Sequence, residues 1–274
     1  LEWTGHHDFS APPPQTPCLP LRGSVGQTRS VIRLSQSICR EMLREERLFL
    51  VNSLENDGFA FLPSWRTEVA THEIAESIGT IIDISLVAKG FKFGTIQTLQ
   101  PREAQPNSHS HYSDIYGFGQ FPLHTDLAYF YHPPHYLLLR CLQGTNEVKT
   151  KLVKAAILEK LVDESSLRRA RVRPRNLPEK IPMCILPMML PGICCLGMRW
   201  DSAFLIPVNE SAVQISDAIA SLDSGNNHGV DLTLENYGDT LIIDNWRMFH
   251  GRSSVPSGSA TRALERIYLS SLYQ

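Results

Sequence analysis

Two stretches of this 274-residue sequence carry side chains able to grip a metal ion. The first is Phe121-Pro122-Leu123-His124-Thr125-Asp126-Leu127-Ala128-Tyr129. Side chains alternate along an extended strand, so His124 and Asp126, two residues apart, face the same side and offer an imidazole and a carboxylate together. A third ligand can come from anywhere that the fold brings close. The best candidate is His250, in Asp244-Asn245-Trp246-Arg247-Met248-Phe249-His250-Gly251-Arg252. Two imidazoles and one carboxylate on one face suit a first-row metal and leave positions open for other ligands. The same three groups plus water would also make a zinc hydrolase. Taken alone the pair is weak evidence, because a lone histidine is more often a satisfied core or surface residue than a ligand.

The elements that must position these groups are read from periodicity. Residues 1–30 hold Pro12-Pro13-Pro14, Pro17 and Pro20 with no hydrophobic period and are expected to form an irregular arm, leaving 31–274 as a single domain. Apolar positions between Ser35 and Leu54 have helical spacing, Asn56-Asp57-Gly58 makes a turn, Phe59–Leu62 a short strand, and Thr67–Gly79 a second helix. Strands are then expected at 95–99, 121–128, 136–142, 190–196, 204–208, 240–244 and 266–272. A helix is expected at Ser211–Leu222, and 158–203 is read as an insertion over one end. Many short strands broken by Pro and Gly predict a mainly β fold with flanking helices (α+β) around a double-stranded β-helix, or jelly-roll, core.

Charge and cysteine usage narrow the function classes. A net charge of −2 and a pI near 6.6 give no electrostatic reason to expect nucleic acid or an acidic membrane as partner. The one dense basic run, from Arg168 to Arg175, reads as a solvated loop flank. Six cysteines without paired CxxC spacing fit free thiols in a reducing, cytoplasmic setting. No apolar run reaches the length of a membrane span, and the first residues lack a basic segment followed by an apolar core. The expectation is a cytoplasmic protein, with homo-oligomerisation left open.

His124-Thr125-Asp126, then Pro133-Pro134, then His250-Gly251-Arg252, then Arg262 and Arg266, form an ordered set. In that order the sequence resembles the Fe(II)/2-oxoglutarate-dependent oxygenases of the taurine dioxygenase and clavaminate synthase type. The resemblance runs from about Gly58 to Tyr273, is sharpest at 117–144 and 238–269, and is weak before Asn52 and across 158–200. It implies that His124, Asp126 and His250 are catalytic iron ligands, and that Arg262 grips the distal carboxylate of 2-oxoglutarate. Thr150 falls where the family has a threonine on that carboxylate, although the usual Gly-Gly-acid-Thr run reads here Gly144-Thr145-Asn146-Glu147-Val148-Lys149-Thr150. The implied cofactors are Fe(II), 2-oxoglutarate and O2, with succinate and CO2 released and an aliphatic C–H of the substrate oxidised by hydroxylation, or else by desaturation or cyclisation.

The resemblance also implies substrate contacts. Arg266, four residues after Arg262, shares its face on a strand and in several family members reaches an anionic group of the main substrate, which implies an anionic or zwitterionic metabolite. The competing reading is a surface arginine paired with Glu265 or Asp244. Ser108, His109 and Tyr112 lie in a segment that lines the family's substrate pocket, and Arg199, in Arg199-Trp200-Asp201, matches a short element near it. Asn245 is a candidate for orienting a metal ligand. His132 and His135, which flank Pro133-Pro134, read as structural. An oxygenase of a macromolecule, a zinc hydrolase and a non-catalytic binding module are the alternatives. Arg262 separates the zinc hydrolase from the oxygenase, since a hydrolase has no need of a 2-oxoacid clamp.

Overall fold

The computed structural model describes residues 44–87, 94–105, 112–175, 184–190, 195–225 and 228–273. The chain divides into two compact units, Leu1–Arg44 and Glu45–Gln274, and the second carries every strand described. In chain order these are β1 (Phe59–Leu62), β2 (Gly79–Ile81), β3 (Gln97–Leu99), β4 (Phe121–His124), β5 (Tyr136–Gln143), β6 (Lys149–Lys154), β7 (Arg171–Pro174), β8 (Leu186–Pro187), β9 (Leu205–Pro207), β10 (Val230–Thr233), β11 (Thr240–Asp244), β12 (Met248–Arg252) and β13 (Ala263–Leu272). They pair antiparallel throughout. One sheet runs β1-β11-β5-β13-β2 with β3 on β13, a second runs β10-β6-β12-β4, and a small third runs β8-β7-β9.

The first sheet is buried on both faces, and alternation along its strands assigns each residue to one of two cores. Leu137, Leu139 and Cys141 of β5, with Leu241 and Ile243 of β11, join Leu152 and Val153 of β6 and Phe249 of β12 in the larger cluster. Leu138, Ile242, Ile267 and Leu269, from the same sheet, pack instead with Leu50 and Leu54 of the helix at 44–57 and with Ile74 and Ile78 of the helix Thr71–Ile78. Double burial explains why β5 and β11 read as continuous apolar runs. Arg140, the charged exception on β5, is 1% exposed and satisfied, donating to Thr240 Oγ1 at 2.8 Å and to the Arg66 carbonyl at 2.8 Å.

The helix Glu210–Ser224 closes the other side of the larger core. Its N-cap, Asn209, accepts from the Ala212 N–H, and Ala212, Ile215, Ile219 and Leu222 form its buried stripe. Lys151 of β6 reaches its far end and donates to the carbonyls of Leu222, Asp223 and Gly225, which complements the negative end of the helix dipole.

The expected mainly β architecture with flanking helices is present. Several boundaries differ. The strand expected over 121–128 stops at His124, because residues 126–129 turn and Leu127 takes a left-handed φ of 53°. The second helix starts at Thr71 rather than Thr67. The stretch 158–203 is not featureless: it contributes the helices Leu158–Leu161 and Glu164–Arg169 and the strands β7 and β8. Of the strand expected at 190–196, residues 191–194 lie outside the described residues, as does the expected arm, 1–30. Strands β6, β10 and β12 lie beyond the expected set, since Lys-Thr-Lys-Leu-Val-Lys lacks an apolar run and β12 sits inside the His-Gly-Arg motif.

Ile243 is fully buried on β11, between β1 and β5. Ile243→Ala is expected to lower stability by about 2–5 kcal/mol through lost burial and a residual cavity, read as a shift of the urea midpoint without change of slope.

Candidate functional site

His124 closes β4 and His250 sits on β12, directly opposite it in the antiparallel register. Their rings lie 4.3 Å apart between centroids. Asp126 reaches the same point from the turn that follows β4, with Oδ1 at 3.4 Å from His124 Nε2 and 3.5 Å from His250 Nε2. All three are buried, and one ligand atom from each lies within 4.8 Å of the others. Ligands adjacent on an octahedral metal at about 2.1 Å would sit about 3 Å apart, so a small inward movement suits the set to a first-row divalent ion. His124 Nδ1 is 2.7 Å from the Pro122 carbonyl, which takes its N–H and leaves Nε2 as a lone-pair donor. Burial, and then the neighbouring His124, push the His250 pKa down and favour the neutral imidazole.

The second carboxylate oxygen of Asp126 faces away from the histidines and is held by two donors. Arg266 Nη1 donates to Oδ2 at 3.0 Å, and Tyr268 Oη donates to it at 2.9 Å. Burial alone would raise the Asp126 pKa, but Arg266 and the two histidines hold the carboxyl well below its ordinary range. The backbone of the turn is held just as firmly. Asn245 Oδ1 accepts from the Asp126 N–H at 2.8 Å, and its Nδ2 donates to the carbonyls of Asp126 and Pro134. Trp246 Nε1 donates to the Pro133 carbonyl, and the Thr125 N–H donates to the Trp200 carbonyl at 2.8 Å.

Beside the three residues lies a cavity of about 580 Å³, within the range of small-molecule sites. Tyr112, Phe121, Tyr129, Phe204, Leu137 and Leu139 give it apolar and aromatic walls. Thr150, Arg252, Arg262 and Arg266 also line it. Arg262 is 5% exposed, and its buried Nε has no hydrogen-bond partner. Burial depresses its pKa. Arg252, two residues past His250 and opposite Thr150 on β6, donates to the carbonyls of Gly117 and Gly119 and stacks over Phe121 at 3.6 Å. Burial, and then the nearby Arg262, lower its pKa to about 10. The two neighbouring guanidiniums, Arg262 buried with an unpartnered Nε and Arg252 half-buried, give this wall of the cavity its positive charge.

Of the residues singled out in the sequence, His124, Asp126 and His250 come together, and Arg262, Thr150, Arg266 and Tyr112 line the adjoining cavity. Arg266 pairs with neither Glu265 nor Asp244, but with Asp126 and the Gln97 side chain. Arg199 is not a cavity residue. It is 1% exposed, and its guanidinium donates to the carbonyls of Ala128, Phe130 and Tyr131, so it braces the turn after Asp126 from behind. A charged side chain near the metal segment looks the same in sequence whether it faces the cavity or the backbone. Ser108 and His109 lie outside the described residues. His135 stacks on Trp246, with centroids 4.0 Å apart, and its Nε2 is 3.5 Å from Asp244. Sequence reasoning missed Tyr268, which lies two residues beyond Arg266 on β13 and so shares its face, and it gave no role to Arg252 of the His-Gly-Arg motif.

Tyr112 stacks on His124 with centroids 4.4 Å apart, and its hydroxyl donates to Asp201. Asp201 also accepts from the N–H groups of Ala203 and Phe204, yet burial pushes its pKa up to about 6. Between about pH 4 and 6 the folded state therefore keeps a proton that the unfolded chain releases, and the stability due to this group is lost as pH rises through 6. Two pKa units correspond to about 3 kcal/mol. Asp201→Asn, which mimics the protonated form, is expected to flatten the fall in stability between pH 4 and 6 relative to wild type, measured by urea unfolding across that range. Equal slopes would show that the carboxyl titrates normally.

Comparison with known proteins adds an independent line. Residues 20–147 match the model of the family described as taurine catabolism dioxygenase TauD, TfdA family, a segment that includes His124 and Asp126. An asparagine oxygenase solved with Fe(II), 3-hydroxyasparagine and succinate superposes with a TM-score of 0.63 at 18% identity, over 83% of this chain and 80% of that one. The non-haem iron oxygenase OrfP, as an aspartate-to-alanine mutant with (3S)-hydroxy-L-Arg, gives 0.60 at 20% identity over 89% and 84%. PvcB from Pseudomonas aeruginosa gives 0.58 at 18% over 81% and 79%. At such identities the structural likeness is one of fold. The family match over residues 20–147, the shared fold and the buried His-Asp-His cluster make the chain similar to the dioxygenases of the TauD, TfdA family.

Proposed function

We propose that the protein is a non-haem Fe(II)- and 2-oxoglutarate-dependent dioxygenase that hydroxylates an aliphatic C–H bond of a small anionic or zwitterionic metabolite, releasing succinate and CO2. The observation that carries the reading is the Arg262 guanidinium, 5% exposed with an unpartnered Nε, in the same cavity as three residues of the facial-triad type. A zinc hydrolase gives that arginine nothing to do. The reading also takes the two main antiparallel sheets as a double-stranded β-helix, the scaffold on which such sites are built.

In this assignment His124 Nε2, Asp126 Oδ1 and His250 Nε2 hold iron, and Arg262 with Thr150 takes the distal carboxylate of 2-oxoglutarate. The planar guanidinium suits a carboxylate because it donates two parallel hydrogen bonds and stays charged. Bound iron and 2-oxoglutarate supply the activation of O2, chemistry that no side chain offers. The chain supplies orientation. Arg266 and Tyr268 keep Oδ2 of Asp126 occupied so that Oδ1 faces the histidines, and Asn245 fixes the backbone from which Asp126 projects. The walls of Leu137, Leu139, Tyr129 and Phe204 exclude water from the reacting carbon. Hydroxylation is favoured over desaturation or cyclisation because the asparagine oxygenase and OrfP were each solved with hydroxylated amino acids.

Anaerobic addition of Fe(II) and 2-oxoglutarate is expected to give a weak visible charge-transfer band, and His124→Ala to abolish both the band and succinate formation. Absence of the band in the wild-type protein, with zinc supporting turnover instead, would overturn the assignment. Arg262→Leu is expected to weaken 2-oxoglutarate binding by about 2 kcal/mol or more, roughly thirtyfold, read as a displaced titration of the same band.

A further inference from the structure

Arg262 has to stay in place while keeping its terminal nitrogens for a ligand. Among the described residues no hydrogen bond ties those nitrogens to the protein, although the side chain is buried and lines the cavity. The constraint on its position therefore comes from the backbone that carries it. That backbone is not part of a strand: Arg262 stands one residue before β13, at the end of a connection from β12 whose regular structure is the single 3-10 turn Ser257–Ser259. Gly258 of this turn faces open space, with no atom within 4 Å of where a Cβ would sit. A connection of this kind positions an arginine only if something holds the connection.

What holds it is the segment 143–149, which leads from the end of β5 to Thr150 on β6. The buried Ser259 donates through Oγ to Glu147 Oε2 at 2.6 Å, and Thr145 Oγ1 lies 3.1 Å from the same hydroxyl. The Ser259 carbonyl accepts from the Arg262 N–H at 3.1 Å. Ser259 is thus bonded to this segment through its side chain and to Arg262 through its backbone. Thr145 Oγ1 also accepts from the Glu147 N–H at 3.2 Å, which steadies the residue that grips Ser259. To one side Gln143 Nε2 donates to Thr261 Oγ1 at 3.0 Å, and to the other the Lys149 N–H donates to Ser253 Oγ at 2.9 Å while the Ser253 N–H donates to the Lys149 carbonyl at 2.9 Å. This is the segment that departs from the family's Gly-Gly-acid run, and Thr145 and Glu147 are the side chains by which it takes hold of Ser259.

We propose that Glu147 and Ser259 are positioning residues for 2-oxoglutarate: their hydrogen bond fixes the turn from which Arg262 projects and so aligns its guanidinium with Thr150. Neither Glu147 nor Ser259 lines the cavity, so both act through Arg262. Thr150 follows Lys149 directly, at the other end of the same segment, and pairs in register with Arg252. The clasp thus joins the two groups assigned to the distal carboxylate, and it rests on that assignment. Its effect is pre-organisation, because the ordering of the connection is completed on folding and is not drawn from the free energy of binding.

The test compares wild type with Glu147→Ala, Ser259→Ala, the double variant and Glu147→Gln. Each is titrated anaerobically with 2-oxoglutarate in the presence of Fe(II) and read on the visible band, with Fe(II) affinity measured without 2-oxoglutarate and the urea midpoint measured alongside. Each alanine variant is expected to bind 2-oxoglutarate about fivefold more weakly, the size of one lost hydrogen bond. The double variant is expected to match Ser259→Ala, since the two side chains share one bond. Glu147→Gln, which keeps an acceptor for Ser259, is expected to recover most of the loss. A role in stability alone would lower the urea midpoint and leave the 2-oxoglutarate titration where it was, and that result overturns the proposal. An equal loss of Fe(II) affinity would mark general loosening and overturns it too. Should Ser259→Ala fail to fold, the exposed Glu147 and its two variants decide the matter. A wild-type protein that gives no band fails the oxygenase reading, and the clasp falls with it, whereas a wild-type band with unaltered variants fails the clasp alone.

Discussion

A buried carboxylate survives ionised only where donors surround it, and Asp126 shows what that requirement costs in architecture. Its side chain draws Arg266 and Tyr268 from β13. Its backbone N–H and carbonyl draw the side chain of Asn245 from the turn between β11 and β12. The adjacent Thr125 is tied to Trp200, and the carbonyls just beyond are tied to Arg199. Two elements far apart in sequence, 199–201 and 244–246, thus exist in their local form because a short turn must be held on both sides. The left-handed Leu127 is the strained point of that turn, and this bracing is what keeps it there.

Much of the site is legible in the sequence because its chemistry is local. His-Thr-Asp, His-Gly-Arg and the arginines that follow have fixed spacings, and each lies on or beside a strand. What the spacing does not convey is direction. His124 and Asp126 read as neighbours on one strand face, yet the strand ends between them and a turn delivers the aspartate. Arg199 reads as facing a ligand, and it faces the backbone. Both errors have one cause: whether a charged side chain turns toward a cavity or toward carbonyls depends on tertiary neighbours that no local pattern encodes. In the fold, β5 and β11 announce themselves through unbroken apolar runs, whereas β6, rich in lysine, does not.

The division of labour among the arginines is physical as well. Arg140 and Arg199 are more deeply buried than Arg262, and their terminal nitrogens donate to backbone carbonyls and a hydroxyl, although the Arg199 Nε, like that of Arg262, has no partner. Among the described residues, no such hydrogen bond ties the terminal nitrogens of Arg262, which lines the cavity. A guanidinium whose terminal donors are met by the fold braces it, whereas one whose terminal donors face a cavity keeps them for an anion, the role proposed for Arg262.

The direct register pairing of His250 with His124 across β12 and β4 sets their separation by strand spacing, which is among the least adjustable distances in a protein. By contrast, Arg102, Gln97 and Tyr112 sit on a short strand, a short helix or the segment between them. Mutational drift in these segments can change what enters the cavity without moving the paired histidines. The scaffold thereby uncouples inheritance of a reaction type from inheritance of a substrate, so that paralogues of this chain can diverge in diet while remaining alike in chemistry.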